Sequence, residues 1–343
     1  MSQRVVVGMS GGVDSSVTAA LLVDQGFDVT GVYMKNWTQD LPGMKCPWAD
    51  DLADAKRVAV QLGIPFKVYD FQEEYRHLVV DYMLNEYRAG RTPNPDVMCN
   101  QEVKFKLFLE AALADGAEMI ATGHYASVKD GRLYKAADEL KDQTYFLYRV
   151  TERALQHTLF PLGIYKKEHV RKIAEDKRLA TAYKRDSQGI CFVGSVGIRD
   201  FLSEFVQSEL GSIIDRDSGE IVGRHDGAIF YTIGQRHGLD VGGGMPYYVV
   251  GKDMGKNEIY VSRNLNNEAM WRASVELTNI HWIREAPDDG EQIAVRMRHR
   301  GKLLSAEIRG NVLTMHEPER AVTAGQSAVV YRGNEVLGGG IVL

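Results

Sequence analysis

Residues 4–22, RVVVGMSGGVDSSVTAALL, read as a short buried strand, a loop built of glycine and serine, and the opening turns of a helix. A Val run of this length suits a parallel strand covered on both faces. Gly11 and Gly12 allow a tight turn and a close approach of backbone to a ligand, and Ser10, Ser15 and Ser16 add hydroxyl donors. The helix that follows points its first free N–H groups back into the loop. Those amides and the positive end of the helix dipole make an anion site that needs no cationic side chain. The loop lacks the Gly-Lys-Ser/Thr ending of a Walker A loop and the Gly-x-Gly-x-x-Gly spacing of a dinucleotide turn. A ligand-free strand-to-helix turn is the plain alternative, and the specified positions of SGGVDS weigh against it.

Outward from this unit the pattern repeats. A strand is expected over 28–34, a helix over 50–63, a strand over 65–71 and a long helix ending near Arg88. After the loop TPNPDVMCN (92–100) come a helix from about Glu102 to Ala114 and a strand over 119–126. Alternating strands and helices imply an α/β fold with a doubly wound parallel sheet. Ligands of such sheets sit at the carboxyl ends of the strands, where Ser10, Met34 and Gly123 fall. Helical stretches then lead through 165–179 to the loop 182–194 and a helix over 198–207. Beyond Gly211 short β-type runs separated by Gly, Asp and Asn turns read as small antiparallel modules, with a break near Asn264 to Met270. The expected division is a catalytic domain over 1–207, a central β-rich domain over 208–268 and a C-terminal β-barrel-like domain over 269–343.

At 343 residues the chain is long for one core. With 44% hydrophobic and 25% charged residues its composition is ordinary for a globular protein, and no apolar run approaches transmembrane length. The first strand begins without a signal-peptide layout, so the expected compartment is the cytoplasm, with no membrane partner. A net charge of −5 argues against a general nucleic-acid coat but leaves room for a local basic face. The three cysteines, Cys46, Cys99 and Cys191, are too scattered for a disulfide framework or a zinc site. Cys99 lies before the expected helix with Lys104 and Lys106 nearby, and Cys191 follows Lys184 and Arg185 in a Gly-flanked loop. Helix N-termini and cations favour the reactive thiolate, whereas buried inert cysteine is the commoner fate of a lone one. Cys46 also opens a helix, and nothing local separates it from the others.

The wording SGGVDS resembles the pyrophosphate (PP) loop of the ATP pyrophosphatase superfamily, the adenine nucleotide alpha hydrolase-like fold, whose members cleave ATP to AMP and pyrophosphate. More specifically, GMSGGVDSS (8–16), NPDVMCNQEVKF (94–105), ATGHYA (121–126), KDQTYFLYRV (141–150), DSQGICFVG (186–194) and YTIGQRHGL (231–239) resemble, in order, the tRNA-specific 2-thiouridylase family. The resemblance implies a tRNA-uridine 2-sulfurtransferase that uses ATP to replace O2 of the wobble uridine in the anticodon loop. It places ATP against Gly8, Met9, Ser10, Gly11, Gly12, Val13, Asp14 and Ser15, with Met34 and Gly123 near the adenosine and Asp14 beside a Mg²⁺. Cys191 becomes the persulfide carrier, loaded by a sulfur-donor protein, and Cys99 the nucleophile that releases sulfur, leaving a transient Cys99–Cys191 disulfide. Prior liberation of hydrogen sulfide by Cys99 stays open. An iron–sulfur cluster on Asp96, Cys99 and Cys191 ranks below the persulfide route, because cluster sites are usually built from more cysteines. The two sulfurs must meet during turnover, and the loop carrying Cys191 is expected to move.

The same resemblance puts Asn94, Pro95 and Asp96 on the target base and His124, Lys141, Asp142, Gln143, Arg298, His299 and Gln326 on the tRNA. His299 stands where the family usually has Tyr, and Gln188 where many relatives have Thr. Turn and cap chemistry explain Asn94 and Asp96 equally well, and a lone His after a strand is commonly structural. Basic residues gather in YKKEHVRK (165–172), at 184–185 and in RMRHRGK (296–302), a phosphate-binding stripe or ordinary solvated faces. An amidotransferase or ligase of the same superfamily would keep the SGGVDS loop without needing two thiols, and a non-catalytic nucleotide- or RNA-binding module would need neither.

Overall fold

The computed structural model describes residues 2–40, 46–186, 197–207, 209–242, 244–264 and 266–343. Strand β1 (Arg4–Gly8) is buried from Val5 onward. It pairs in parallel with β2 (Asp28–Lys35) on one side and β4 (Met119–Ala121) on the other. With β3 (Phe66–Asp70) and β7 (Thr158–Leu159) they form a five-stranded parallel sheet in the order β3-β2-β1-β4-β7. The order reverses beside β1, so the crevice at its carboxyl end is the ligand position that this topology provides. Alternation sends Val5 and Val7 to one face, against Val17 and Ala20 of α1 (Val13–Asp24), Val58 of α2 (Trp48–Leu62) and Val170 of α5 (Lys167–Asp176). Val6 goes to the other face, with Val79, Met83, Val103 and Phe108. Helices on both faces confirm the doubly wound sheet expected from the sequence.

That second face is covered by two compound helices. Helix α3 runs through Gln72–Tyr75, a wide-wound π stretch Arg76–Asp81 and Tyr82–Arg88. Helix α4 runs through Pro95–Met98, a wide-wound stretch Cys99–Leu107 and Phe108–Ala114. It therefore begins well before the expected start near Glu102. Pro95 occupies the first position, where proline's missing N–H removes no bond. Wide winding dilutes the 3.6-residue apolar period by which helices are found in sequence. Strand β4 in turn ends at Ala121, short of the expected 126, because the chain leaves the sheet to pack on α1.

The central module is a four-stranded sheet, β10-β11-β8-β9, made of β8 (Gly211–Asp215), β9 (Ile221–His225), β10 (Tyr248–Asp253) and β11 (Glu258–Ser262). It departs from the antiparallel expectation, because β8 and β11 pair in parallel. The long connection from β9 to β10 permits that crossover, which a tight hairpin does not. In the C-terminal module β12 (Trp271–Trp282) pairs with both β15 (Val312–Arg320) and β17 (Glu335–Val342). With β13 (Ile293–Arg296), β14 (Leu304–Arg309) and β16 (Ser327–Arg332) the sheet closes on itself. A hairpin from the first part of the chain, β5 (Ser127–Lys129) and β6 (Arg132–Tyr134), joins this sheet through β6 on β17. No helix among the described residues is long and apolar enough to cross a membrane.

Polar contacts tie the modules together. Asp142, buried at 3% exposure, accepts from Ala136 N at 3.1 Å, Thr144 Oγ1 at 2.8 Å and Arg296 Nη1 at 3.2 Å. Removing one partner of a buried pair leaves the other charge uncompensated. Arg296→Met is accordingly expected to cost about 3 kcal/mol in urea unfolding. Lys302→Met, whose ammonium pairs at 3.4 Å with Glu317 where both side chains are exposed, should cost under about 1 kcal/mol. Equal midpoints for the two variants would contradict this ranking.

Candidate active site

The loop after β1 is built by its own backbone. Met9 N donates to Val32 O at 2.7 Å, a last tie to β2, before the chain turns through Ser10–Gly12. Gly11 has φ +75°, and a Cβ there would stand 2.2 Å from Asp51 O, so both conformation and the closeness of α2 demand glycine. Gly12 precedes α1 in extended conformation and no side chain caps the helix. The first amides of α1 are thus left for an anion. The serines behave differently from expectation. Ser15 Oγ donates to Gly12 O at 3.1 Å and Ser16 Oγ to the same oxygen at 2.8 Å, and both residues are buried. Their hydroxyl protons brace the turn, leaving Ser10 as the exposed hydroxyl of the loop. Met9 and Val13 are core residues, at 1% and 3% exposure, so only their backbone can face a ligand.

The other expected nucleotide residues converge on this turn. A Cβ at Gly8 would lie 3.0 Å from Met34 Cε, and one at Gly123 would lie 2.8 Å from Ser15 N. Helix α4 reaches the same end of the sheet. Phe108 lies against Gly8, and the chain runs back from there toward Pro95 before the helix feeds β4 at the opposite end. Cys99 thus lies nine residues before Phe108 toward the start of the helix, roughly 10–14 Å along its axis.

Charges surround the cradle. Asp14, in the first turn of α1, accepts from Tyr125 OH at 2.9 Å and from Lys167 Nζ at 2.7 and 2.8 Å. Lys167 also pairs with Asp186 at 2.9 Å, and Asp186 with Lys141 at 2.8 Å and with Arg171. Lys184 bridges Asp51 at 2.7 Å and Asp54 at 2.5 Å, fastening the 182–186 segment to α2 beside Gly11. Burial would raise the Asp186 carboxyl, but hydrogen bonds from Lys141 and Lys167 hold it well below the usual carboxylate range. Burial, and then the charge of Asp14, push the Tyr125 hydroxyl far up, so it stays a donor. Asp14 as placed does not fit a metal ion, since both its oxygens are engaged by Lys167 and one also by Tyr125. Among the described residues no three His, Cys, Asp or Glu side chains gather to hold one.

Cys99 is fully buried in the second turn of α4, and its N–H is used on the carbonyls of Pro95 and Asp96. It is therefore not at the helix terminus where the sequence put it. Lys106, expected to bias it, is bound by Glu102 at 2.8 Å. Cys46 is buried just before α2, with burial, and then the carboxylates of Asp40 and Asp51, raising its thiol, as fits a structural cysteine. Cys191 and its neighbours over 187–196 lie outside the described residues. Asn94 occupies the cap position of α4, yet its side chain makes no cap bond. Cap chemistry therefore leaves its amide group uncommitted to the helix. The preceding loop is gripped from two sides: Thr92 N donates to Ala324 O at 2.9 Å, and Thr92 Oγ1 lies 3.2 Å from Thr232 Oγ1.

Of the expected tRNA contacts, Lys141, Asp142, Gln143 and His299 come together. His299 lies over Phe146 with centroids 4.5 Å apart, next to the Arg296–Asp142 pair. Burial, and then Arg300 and Arg296, lower the His299 imidazole and keep it neutral. Gln143 Oε1 accepts from Tyr125 N at 2.9 Å, and Gln326 Nε2 donates to Thr92 O at 2.8 Å, so both carry structural bonds. His124 is 9% exposed, bonded through Nδ1 to Thr122 and lodged between Phe105 and Phe160. The basic runs are only partly surface: Lys167, Arg171 and Lys184 turn to carboxylates, while Lys166, Lys172 and Arg185 stay exposed. Sequence reading missed Tyr125, Lys167 and Asp186 as members of the site. The lysine sat in a run that looked uniformly solvated, and pairing across 153 positions has no local signal.

Three family models match the chain in succession: the tRNA methyl transferase HUP domain over residues 3–195, the tRNA methyl transferase PRC-barrel domain over 199–263 and the aminomethyltransferase beta-barrel domain over 272–342. The tRNA-specific 2-thiouridylase MnmA of Bacillus subtilis is 47% identical over 351 residues, covering 99% of this chain and 94% of that protein. The MnmA of Streptococcus thermophilus is 46% identical over 354 residues, covering 99% and 95%. Among solved structures, a 4-thiouridine synthetase–RNA complex with bound ATP is 16% identical, with TM-score 0.38 over 55% of this chain and 45% of that one, too loose an overlap to bear on function.

Proposed function

The chain belongs to the tRNA-specific 2-thiouridylase family, and on that premise we propose that it replaces O2 of the tRNA wobble uridine with sulfur, driven by cleavage of ATP to AMP and pyrophosphate. The carrying observation is one end of one sheet: the uncapped amides of α1 stand there between Gly123 and Met34, with Cys99 and Asn94 on the helix projecting beyond them. A methyl transfer, which the family-model descriptions name, leaves an anion cradle and an adjacent thiol without a task.

The chemistry explains why both are needed. Ring nitrogens donate into the uracil C2 carbonyl, making it a poor electrophile whose oxygen leaves badly. Transfer of AMP to O2 remedies both, and the α1 amides with the Ser10 hydroxyl stabilise the departing pyrophosphate. Mg²⁺ would enter with the nucleotide as part of the substrate and would neutralise phosphate charge, since the described residues gather no cluster of side chains to hold it. The terminal sulfur of a Cys191 persulfide, loaded by a sulfur-donor protein, attacks C2 and AMP departs. Cys99 then attacks Cys191 Sγ, the bond to the transferred sulfur breaks, and a Cys99–Cys191 disulfide remains for an external thiol to reduce. A wobble base is already in a single-stranded loop, so bringing it to this site costs at most a few kcal/mol. Asn94 and Asp96 read its edge, and Lys141, Arg298 and the exposed Lys166, Lys172 and Arg185 receive phosphates.

The test is a reaction of the purified chain with unmodified tRNA, ATP and a persulfide source. Expected products are 2-thiouridine, AMP and pyrophosphate in equal amounts; ATP-independent modification, or methylated tRNA, rules the proposal out. Because Asn94 makes no cap bond, Asn94→Ala should leave the melting temperature within about 2 °C of wild type. It should lower kcat/KM for tRNA roughly 10- to 100-fold. A variant that melts much earlier at unchanged kcat/KM would return Asn94 to a structural role.

A further inference from the structure

Lys167 lies outside the glycine–serine loop and far from it in sequence, yet its side chain turns inward to 14% exposure and meets two carboxylates at once. It reaches Asp14 Oδ1 and Oδ2 at 2.7 and 2.8 Å and Asp186 Oδ1 at 2.9 Å. An ammonium has three donors, and three oxygens stand here to take them. The two carboxylates depend on it unequally. Asp186 also has Lys141 at 2.8 Å and the guanidinium of Arg171, whereas Asp14, besides Lys167, meets the neutral hydroxyl of Tyr125 at 2.9 Å. Asp14 sits in the first turn of α1, so phosphate oxygens on the helix amides arrive beside a carboxylate of the same sign. The cation best placed to serve both is the one already on Asp14.

We propose that Lys167 is a polyphosphate-binding residue of the nucleotide site, exchanging one of its two bonds to Asp14 for a phosphate oxygen while keeping Asp186 as its anchor. The proposal rests on reading the Ser10–Asp14 turn as a phosphate cradle, and it assigns to α5 a role that no loop motif carries. It also links the cradle to Asp186 through a single side chain, so the nucleotide phosphates and the residue that immediately precedes the 187–196 stretch share one ammonium.

The measurement is calorimetric binding of ATP, AMP and inorganic pyrophosphate to the full chain, without tRNA. Lys167→Met should weaken ATP and pyrophosphate roughly 10- to 100-fold, because a charge-assisted bond to phosphate is lost. AMP affinity should stay within about twofold, since a single phosphate seats on the amides alone, and Lys167→Arg should recover most of the pyrophosphate affinity. Unchanged pyrophosphate affinity, or equal losses for ATP and AMP, overturns the proposal. Failure of the unsubstituted chain to bind ATP or pyrophosphate overturns the cradle reading itself, and the proposal with it. Should Lys167→Met not fold, Asp14→Asn/Lys167→Gln compared with Asp14→Asn alone makes the same measurement without a stranded carboxylate, and pyrophosphate must again bind more weakly to the double variant.

Discussion

Cys99→Ser and Cys191→Ser should each reduce repeated 2-thiouridine formation by roughly 10³-fold or more, the scale at which removal of a covalent participant acts. ATP affinity should stay within about twofold, because Cys99 lies one turn or more beyond the phosphate cradle on α4. The two variants part on a second readout. Cys191→Ser cannot accept sulfur from a persulfide donor, whereas Cys99→Ser is loaded but does not release it. Added sulfide restores Cys99→Ser only if hydrogen sulfide is the attacking species, so that rescue separates the two sulfur-release routes. Full turnover by Cys191→Ser with a persulfide donor would remove the carrier from the mechanism. Complete burial of Cys99 has its own consequence: alkylation by a bulky reagent should be slow for the chain by itself, since a buried thiol reacts poorly.

Gly11→Ala is expected to abolish measurable ATP binding and to destabilise the chain by about 2–4 kcal/mol. A left-handed backbone costs an L residue roughly 1–2 kcal/mol. The added methyl would also stand 2.2 Å from Asp51 O, which is backbone and cannot rotate away. Either α2 shifts or the turn does, and a shifted turn no longer aims the α1 amides. Gly12→Ala is the matched control: its φ is −91° and its nearest neighbour, Ser10 Oγ, stands 3.5 Å off. It should lose under about 1 kcal/mol and retain nucleotide binding. Equal effects at the two glycines would show that crowding at Asp51 is not what fixes the loop. Denaturant midpoints and nucleotide titrations measure both quantities directly.

How far the sequence disclosed this architecture follows from the range of the interactions concerned. The strand–turn–helix unit at 4–22 and the alternation after it rest on local periodicity, so the sheet and its carboxyl-end crevice were legible, as were Gly8, Met34 and Gly123 at its rim. Cys99's place within α4 was not, because wide winding over Cys99–Leu107 dilutes the period that marks a helix. Ser15 and Ser16 look identical to Ser10 in sequence. Only the folded turn shows that their hydroxyls point to Gly12 O. In the run YKKEHVRK the buried Val170 marks the inner side of the helix, three to four positions after both Lys167 and Lys166, and nothing local shows which of the two lysines faces inward. Lys167 does so because Asp14 and Asp186 wait for it, and such pairing depends on tertiary geometry alone. The parallel β8–β11 pair was hidden for a related reason: turn signals report neighbours in sequence, not crossovers.

Strand β6 joins β17 through Tyr134 opposite Glu335 and Leu133 opposite Val336, residues about two hundred positions apart. During vectorial synthesis on a ribosome, the β5–β6 hairpin emerges long before its partner strand exists. Its open edge then offers unpaired backbone groups to any passing strand. The five-stranded parallel sheet is complete by β7, at Leu159, but that edge waits for β17, about two hundred residues after β6. A stop codon ahead of β17 would therefore do more than shorten the barrel. It would leave the finished first domain with an unquenched edge, and nascent-chain aggregation rather than loss of an RNA contact would be its first symptom.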